Sequence, residues 1–298
     1  YIYDADASGN YTVLNDSLSS DFEVNTYRHT PNIGFNYDHE AWRINTNVGL
    51  LNTILQNENL LNPANFDNTY NNLYLSARVR YELERSKSIS VDYRTNANTP
   101  SIRQLQPVAD RTNPLNIVVG NPALRPAYSH NIGANFRSFN FGAGGGSGIF
   151  SSFDLSFTEN QVVSVSTIGD DLRRTTTYAN VDGAMSAGAR IFYTKSSRKE
   201  EKEFRYNFTL RGNFSRNVGF TNGTLFNSER FSLSPGVRMT YAIQEVFEVN
   251  PSYNLTYNDT RYSINENRNE DFINHRVGFE ATTFWPKNVI FGNDISYN

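Results

Sequence analysis

Residues 73–83 read Leu-Tyr-Leu-Ser-Ala-Arg-Val-Arg-Tyr-Glu-Leu. Leu73, Leu75, Ala77, Val79, Tyr81 and Leu83 are apolar or aromatic, whereas Ser76, Arg78, Arg80 and Glu82 between them are polar. A period of two puts the first set on one face of a β-strand and the second on the other. Only Tyr74 breaks the alternation.

Working outward, the same period predicts about twelve strands in six pairs. The first pairs are 29–37 with 41–54, 71–83 with 88–97, and 127–141 with 149–166. They are followed by 174–194 with 204–217, 229–242 with 246–259, and 271–285 with 289–298. Tight turns fall at Asp38-His39-Glu40, Glu84-Arg85-Ser86-Lys87, Ile243-Gln244-Glu245 and Pro286-Lys287-Asn288. Two longer turns of the same series, 142–148 and 195–203, are also expected. Long polar loops are expected at 55–70, 97–126, 167–173, 218–228 and 260–270. Short connections at one end and long ones at the other are the pattern of a transmembrane antiparallel up-and-down β-barrel, all-β in class.

Bulk composition agrees. The chain has 298 residues, a net charge of -3, 18 Tyr, 21 Phe and no Cys. Disulfides and thiolate metal sites are therefore excluded. Scattered Lys and Arg at this charge argue against nucleic acid as a partner. No apolar run approaches the roughly 18–20 residues of a membrane helix, which a barrel does not need, because half of each strand faces a polar interior. The candidate lumen-facing residues are Arg78, Arg80, Arg94, Arg137, Arg190, Arg205, Arg211, Arg238 and Arg276. In a dry core they would be prohibitive; lining a hydrated lumen they are ordinary.

Chemistry-bearing constellations are sparse. His29, His39, His130 and His275 share no ligand spacing, and no nucleophile elbow occurs. The stretch Gly142–Gly148 lacks the Lys-Ser/Thr of a phosphate loop and reads as a flexible turn. The acidic pairs Asp170-Asp171 and Glu270-Asp271, and the mixed run Lys195–Glu203, read as solvated charge. No enzyme activity, no cofactor and no metal site is expected.

One segment carries more than periodicity. Within 99–126 stand Pro100-Ser101, Gln104-Leu105-Gln106-Pro107, Asn113-Pro114-Leu115 and Gly120-Asn121-Pro122-Ala123-Leu124-Arg125-Pro126. These resemble a signature of TonB-dependent receptors, and more narrowly of the Bacteroidetes-type outer membrane β-barrel family related to them. Tyr178-Ala-Asn-Val-Asp-Gly183 and the hairpin around Trp285-Pro286-Lys287 are similar to the same family. The resemblance implies that Pro100, Gln104, Leu105, Pro107, Asn113, Pro114, Gly120, Asn121, Pro122, Leu124 and Pro126 form a shaped extracellular loop. Proline fixes φ and cannot donate to a sheet, which suits such a loop.

The resemblance further implies the C-terminal part of a receptor with 22 strands around a plug, set in outer-membrane lipid and lipopolysaccharide. It implies uptake of a small-molecule or oligomeric nutrient (a metal chelate, an oligosaccharide or a peptide), with the TonB energy-coupling complex acting through an N-terminal plug. No plug, TonB box or terminal aromatic residue stands within this sequence, so residues 1–298 are expected to form a single barrel domain of a fragment or processed product. Two other readings stay open. One is a non-transporting outer-membrane barrel serving as anchor, adhesin or assembly component. The other is a soluble β-sandwich that binds glycans.

The loop assignment gives an orientation. A tag inserted beside Asn116 is expected to bind antibody on intact cells, and a tag beside Ser86 to stay hidden. The opposite labelling would reverse the topology.

Overall fold

A computed structural model describes residues 3–15, 19, 22–59, 66–110, 113–142, 144–284 and 289–298. A small N-terminal hairpin pairs β1 (Tyr3–Ala5) with β2 (Tyr11–Leu14). Then come β3 (Phe22–His29), β4 (Asn32–His39), β5 (Trp42–Asn59), β6 (Phe66–Glu84) and β7 (Lys87–Asn98). A single helical turn, α1 (Ile102–Leu105), and β8 (Asn116–Val118) precede β9 (Ala127–Gly142) and β10 (Gly145–Glu159). The chain continues through β11 (Gln161–Ile168), β12 (Arg174–Val181), β13 (Ala184–Lys199), β14 (Lys202–Thr221) and β15 (Thr224–Ile243). It ends with β16 (Phe247–Tyr262), β17 (Glu270–Thr283) and β18 (Phe291–Tyr297).

Thirteen of these strands form one antiparallel sheet in the order β18-β17-β16-β15-β14-β13-β10-β9-β7-β6-β5-β3, with β4 also on β5. β3 and β4 pair with the two halves of β5, so they act as one stave interrupted at Thr30-Pro31. Proline cannot donate to the ladder. The carbonyl of Pro31 nevertheless accepts the Leu50 N–H at 3.0 Å. The two edges, β18 and the β3–β4 stave, do not pair with each other among the described residues, and the sheet is not closed.

Register keeps each face uniform across strands. Leu50, Val48, Ile44 and Trp42 on β5 stand opposite Leu73, Leu75, Val79 and Tyr81 on β6. The apolar rows continue through Val91 and Ile89 on β7 to Ala134 and Phe136 on β9. On the other face, one row runs Arg78, Asp92, Gly133, Asp154, Gly188, Asn213, Ser232 and Asn258 from β6 to β16.

The apolar face covers nothing. Val48 is 56% exposed and Ile33 84%. The buried apolar residues among those described are Leu55, Leu105, Val118, Leu124, Val181, Ala184 and Val218, all toward the end of the sheet away from the tight turns. Open apolar area on this scale is untenable in water and needs a nonpolar solvent. With the inner strands paired to neighbours on both sides over most of their length, lipid is that solvent. A soluble sandwich, which would bury this face against a second sheet, is not what the chain forms.

Several boundaries differ from the sequence reading. The stretch expected as one strand, 149–166, is β10 followed by β11, broken at Asn160 with φ 53°. Likewise 174–194 is β12 followed by β13, broken at Asp182-Gly183, where Gly183 has φ 96°. The long loop expected at 218–228 is a two-residue Asn222-Gly223 turn with φ 46° and 75°. Two left-handed residues match the twist of the flanking strands. The loop expected at 55–70 shrinks because β5 and β6 run on to Asn59 and from Phe66. The turns expected at 142–148 and 195–203 contract in the same way, between Gly142 and Gly145 and between Lys199 and Lys202.

Several of these stretches are strand ends where the apolar alternation weakens, although Leu55 and Val218 within them are buried. Gly146 and Gly148 are paired strand residues covered by the rings of Phe141 and Phe139, each within 2.8 Å of where a Cβ would sit. The segment is no flexible turn. The turn expected at Pro286-Lys287-Asn288, with Trp285, lies outside the described residues.

The two faces respond differently to charge. Val91→Arg, on the apolar face, is expected to cost about 2–4 kcal/mol of stability. Ser90→Arg, one residue away on the polar face, is expected to cost little. Urea unfolding in lipid vesicles checks both; equal costs would refute the facing.

Candidate functional site

At the end away from the tight turns the wall is uneven. Pairing of β6 with β7 stops at Ser76 opposite Arg94, while β6 continues upward on β5 as far as Phe66. Pairing of β13 with β14 stops at Met185 opposite Arg216, while β14 continues on β15 to Thr221. Into the notch folds a small unit: α1 and a three-stranded sheet in the order β11-β12-β8, with β8 parallel to β12. This unit caps the polar face.

The cap is anchored by apolar and polar contacts together. Leu105 (0% exposed) and Leu124 (2%) pack on Leu55 (4%), with Val162 and Tyr178 around them. Leu55 lies on the polar face of β5, in phase with Asn45 and Arg43 rather than with Val48 and Leu50. Burying a leucine side chain stabilises by about 2 kcal/mol, so three of them outweigh any single surface ion pair here. Asn68 Nδ2 donates to the Pro122 carbonyl at 3.3 Å, and the Tyr70 hydroxyl donates to the Leu124 carbonyl at 3.1 Å.

Several motif residues within the loop have a physical task. The Ser101 N–H donates to Gln104 Oε1 at 2.8 Å, fixing the start of α1. The Asn121 N–H reaches the Gln104 carbonyl at 2.6 Å, and its side-chain Nδ2 donates to the Tyr178 carbonyl at 2.9 Å. Asn121 Oδ1 accepts the Ala123 N–H at 3.0 Å, and Asn113 Oδ1 accepts the Leu115 N–H at 3.0 Å. A Cβ on Gly120 would sit 2.3 Å from the Gln106 carbonyl oxygen, so only glycine permits this approach. Pro100 and Pro126 are buried at the loop's two ends, and Pro107, Pro114 and Pro122 are exposed along it.

The structure thus brings two distant sequence segments together. Asn180 accepts the Arg125 N–H at 2.8 Å through Oδ1, and its Nδ2 donates to the carbonyls of Arg125 at 2.9 Å and Asn160 at 2.6 Å. Sequence reasoning quoted Asn180 only as part of 178–183 and missed its role; Asn68 and Tyr70 gave no signal at all.

Below the cap lies a polar groove of about 900 Å³. Asn45, Arg78, Asp92, Arg94, Asn96 and Asn131 contribute to its lining. Where β6 and β7 part, side chains replace the missing ladder: the Leu75 N–H donates to Thr95 Oγ1 at 2.9 Å, and the Leu73 carbonyl accepts from Thr95 Oγ1 at 3.0 Å and the Tyr128 hydroxyl at 2.7 Å.

All nine arginines singled out from the sequence sit on the polar face, but only Arg78 and Arg94 line this groove. Arg80 pairs with Glu82 at 3.2 Å, Arg205 with Glu203, and Arg238 with Glu280 at 3.3 Å. Arg137 Nε donates to Ser88 Oγ at 2.9 Å, and Arg276 Nε to Asn298 Oδ1 at 2.6 Å. Arg190 and Arg211 stand directly opposite each other on β13 and β14. The histidines are dispersed, His130 meeting the Tyr93 hydroxyl at 2.8 Å and His275 that of Tyr253 at 2.7 Å. Among the described residues no group of three or more His, Asp or Glu is arranged to hold a metal ion.

The family described as outer membrane protein beta-barrel family matches residues 1–289. A comparison with curated proteins gives no match.

The cap can be loosened without touching the wall. Asn180→Ala leaves the Arg125 and Asn160 backbone groups unpaired, at about 1–3 kcal/mol. Hydrogen exchange in 99–126 is expected to rise while β5, β6 and β14 stay protected. Unchanged protection of the loop would show that Asn180 does not hold it.

Proposed function

The chain belongs to the outer membrane protein beta-barrel family and resides in the bacterial outer membrane, and from that premise we propose that it is the barrel of a receptor for TonB-dependent nutrient uptake, not an enzyme. The nutrient is a small or oligomeric solute: a metal chelate, an oligosaccharide or a peptide. Extracellular loops catch it, the polar face conducts it, and a plug domain coupled to the inner-membrane TonB complex gates the passage.

One arrangement supports this reading above others. The loop segments that resemble receptor signatures, 99–126 and 178–183, meet in one capping unit over a polar groove on the solvent-lined face. An anchor would need no cavity beneath its loops. The groove also fits the general form of a solute site: concave, with a few convergent polar groups and a fixed shape.

Growth and uptake in a deletion strain test this. Loss of uptake of at least one iron chelate, oligosaccharide or peptide, restored by the intact gene but not by one lacking the codons for 99–126, is expected. Unchanged uptake of every solute would favour the anchor or adhesin instead.

A further inference from the structure

We propose that the groove beneath the cap is an anion site, holding a solute with carboxylate or phosphate groups between the guanidinium groups of Arg78 and Arg94. This deepens the transport reading by naming a class of solute, and it rests on that reading for its biological meaning.

Register places the two cations together. Ser76 is opposite Arg94 and Arg78 opposite Asp92, so Arg78 and Arg94 are diagonal neighbours on adjacent strands. Such positions lie roughly 7–8 Å apart at the backbone, within reach of one multi-oxygen anion for two long side chains. Both residues are exposed to the groove. Neither makes an ion pair among the described residues, although Arg43, Arg80, Arg205 and Arg238 on the same face each have a carboxylate within 4.0 Å.

The carboxylate in the groove forms no ion pair with them among the described residues. Asp92 leans over β9, its oxygens 2.8 and 2.9 Å from where a Cβ of Gly133 would stand. The glycine makes room for the acid on the side away from Arg78, which sits on the opposite neighbour of β7. What remains around the two guanidiniums is neutral and hydrogen-bonding: the side-chain amides of Asn45, Asn96 and Asn131. Guanidinium forks bind carboxylate and phosphate in two-point geometry, and amides supply further donors without adding charge. A concave wall concentrates the field of two cations set against one carboxylate and raises the local concentration of anions.

The protein in detergent micelles gives a direct test by calorimetry, with inorganic phosphate, citrate and trigalacturonate as probes and maltotriose as the neutral counterpart. At least one anion is expected to bind where maltotriose does not. The double variant Arg78→Gln/Arg94→Gln is expected to weaken that binding about tenfold or more. Arg190→Gln/Arg211→Gln, outside the groove, should leave it unchanged. Asp92→Asn keeps the shape and removes a repelling charge, so it should tighten binding by about threefold.

Three results would overturn the site: no anion binding above maltotriose, wild-type affinity in the Arg78/Arg94 variant, or weaker binding in Asp92→Asn. None of them bears on whether the deletion strain loses uptake, so failure of the anion site and failure of the transport reading are told apart.

Discussion

A sheet that keeps one face apolar across all its staves and builds no second layer must find a solvent for that face. This constraint governs everything else in the molecule. Lipid supplies the solvent, and in return forbids unpaired backbone within its thickness. Long uninterrupted ladders follow, such as the twenty-pair register of β14 with β15 from Lys202–Ile243 to Thr221–Thr224. A tilted strand crosses the hydrocarbon with about 9–11 residues. Strands of 16 to 20 residues therefore stand well clear of it. The surplus length is what raises the tall parts of the wall and leaves a notch between them.

The polar face obeys a different rule, and Leu55 shows it. On that face an apolar side chain is stable only where something covers it. The cap does so with Leu105 and Leu124, and the surrounding hydrogen bonds run to backbone carbonyls rather than to other side chains. Backbone acceptors have fixed positions, so the loop is held in one shape. An isolated loop of this length would lose too much conformational entropy to hold that shape by itself.

Alternation in the sequence was enough to read the fold and the six hairpins, because membrane-facing residues obey a strict period of two. It failed where the solvent changes. Residues 195–203 are polar on both sides, and polarity there says nothing about pairing. It failed also at Leu51–Asn57, where the lipid covers one face and the cap the other, so that the stretch reads as weakly amphipathic although it is continuous strand. The breaks at Asn160 and Gly183 were hidden for another reason. Both depend on partners far along the chain, Asn160 donating to Asp182 and accepting from Asn180. The cap's prolines and glycine were legible as a shaped loop, but nothing local tells that Asn121 reaches Tyr178 or that Asn180 grips Arg125.

Groove and cap share one cause, the early separation of β6 from β7. Had Leu73 and Leu75 found β7 backbone to pair with, the wall would have continued upward, closing the notch that the cap fills and flattening the face where Arg78 and Arg94 project. Instead Thr95 and Tyr128 satisfy the Leu75 N–H and the Leu73 carbonyl with hydroxyls. A hydroxyl reaching across from a neighbouring strand meets the demand for pairing without requiring strand to lie against strand. The wall can thus part while its backbone stays satisfied. A concavity on the polar side follows from that parting, with Tyr74 and Ser76 on one margin and Asn96 and Asn98 on the other.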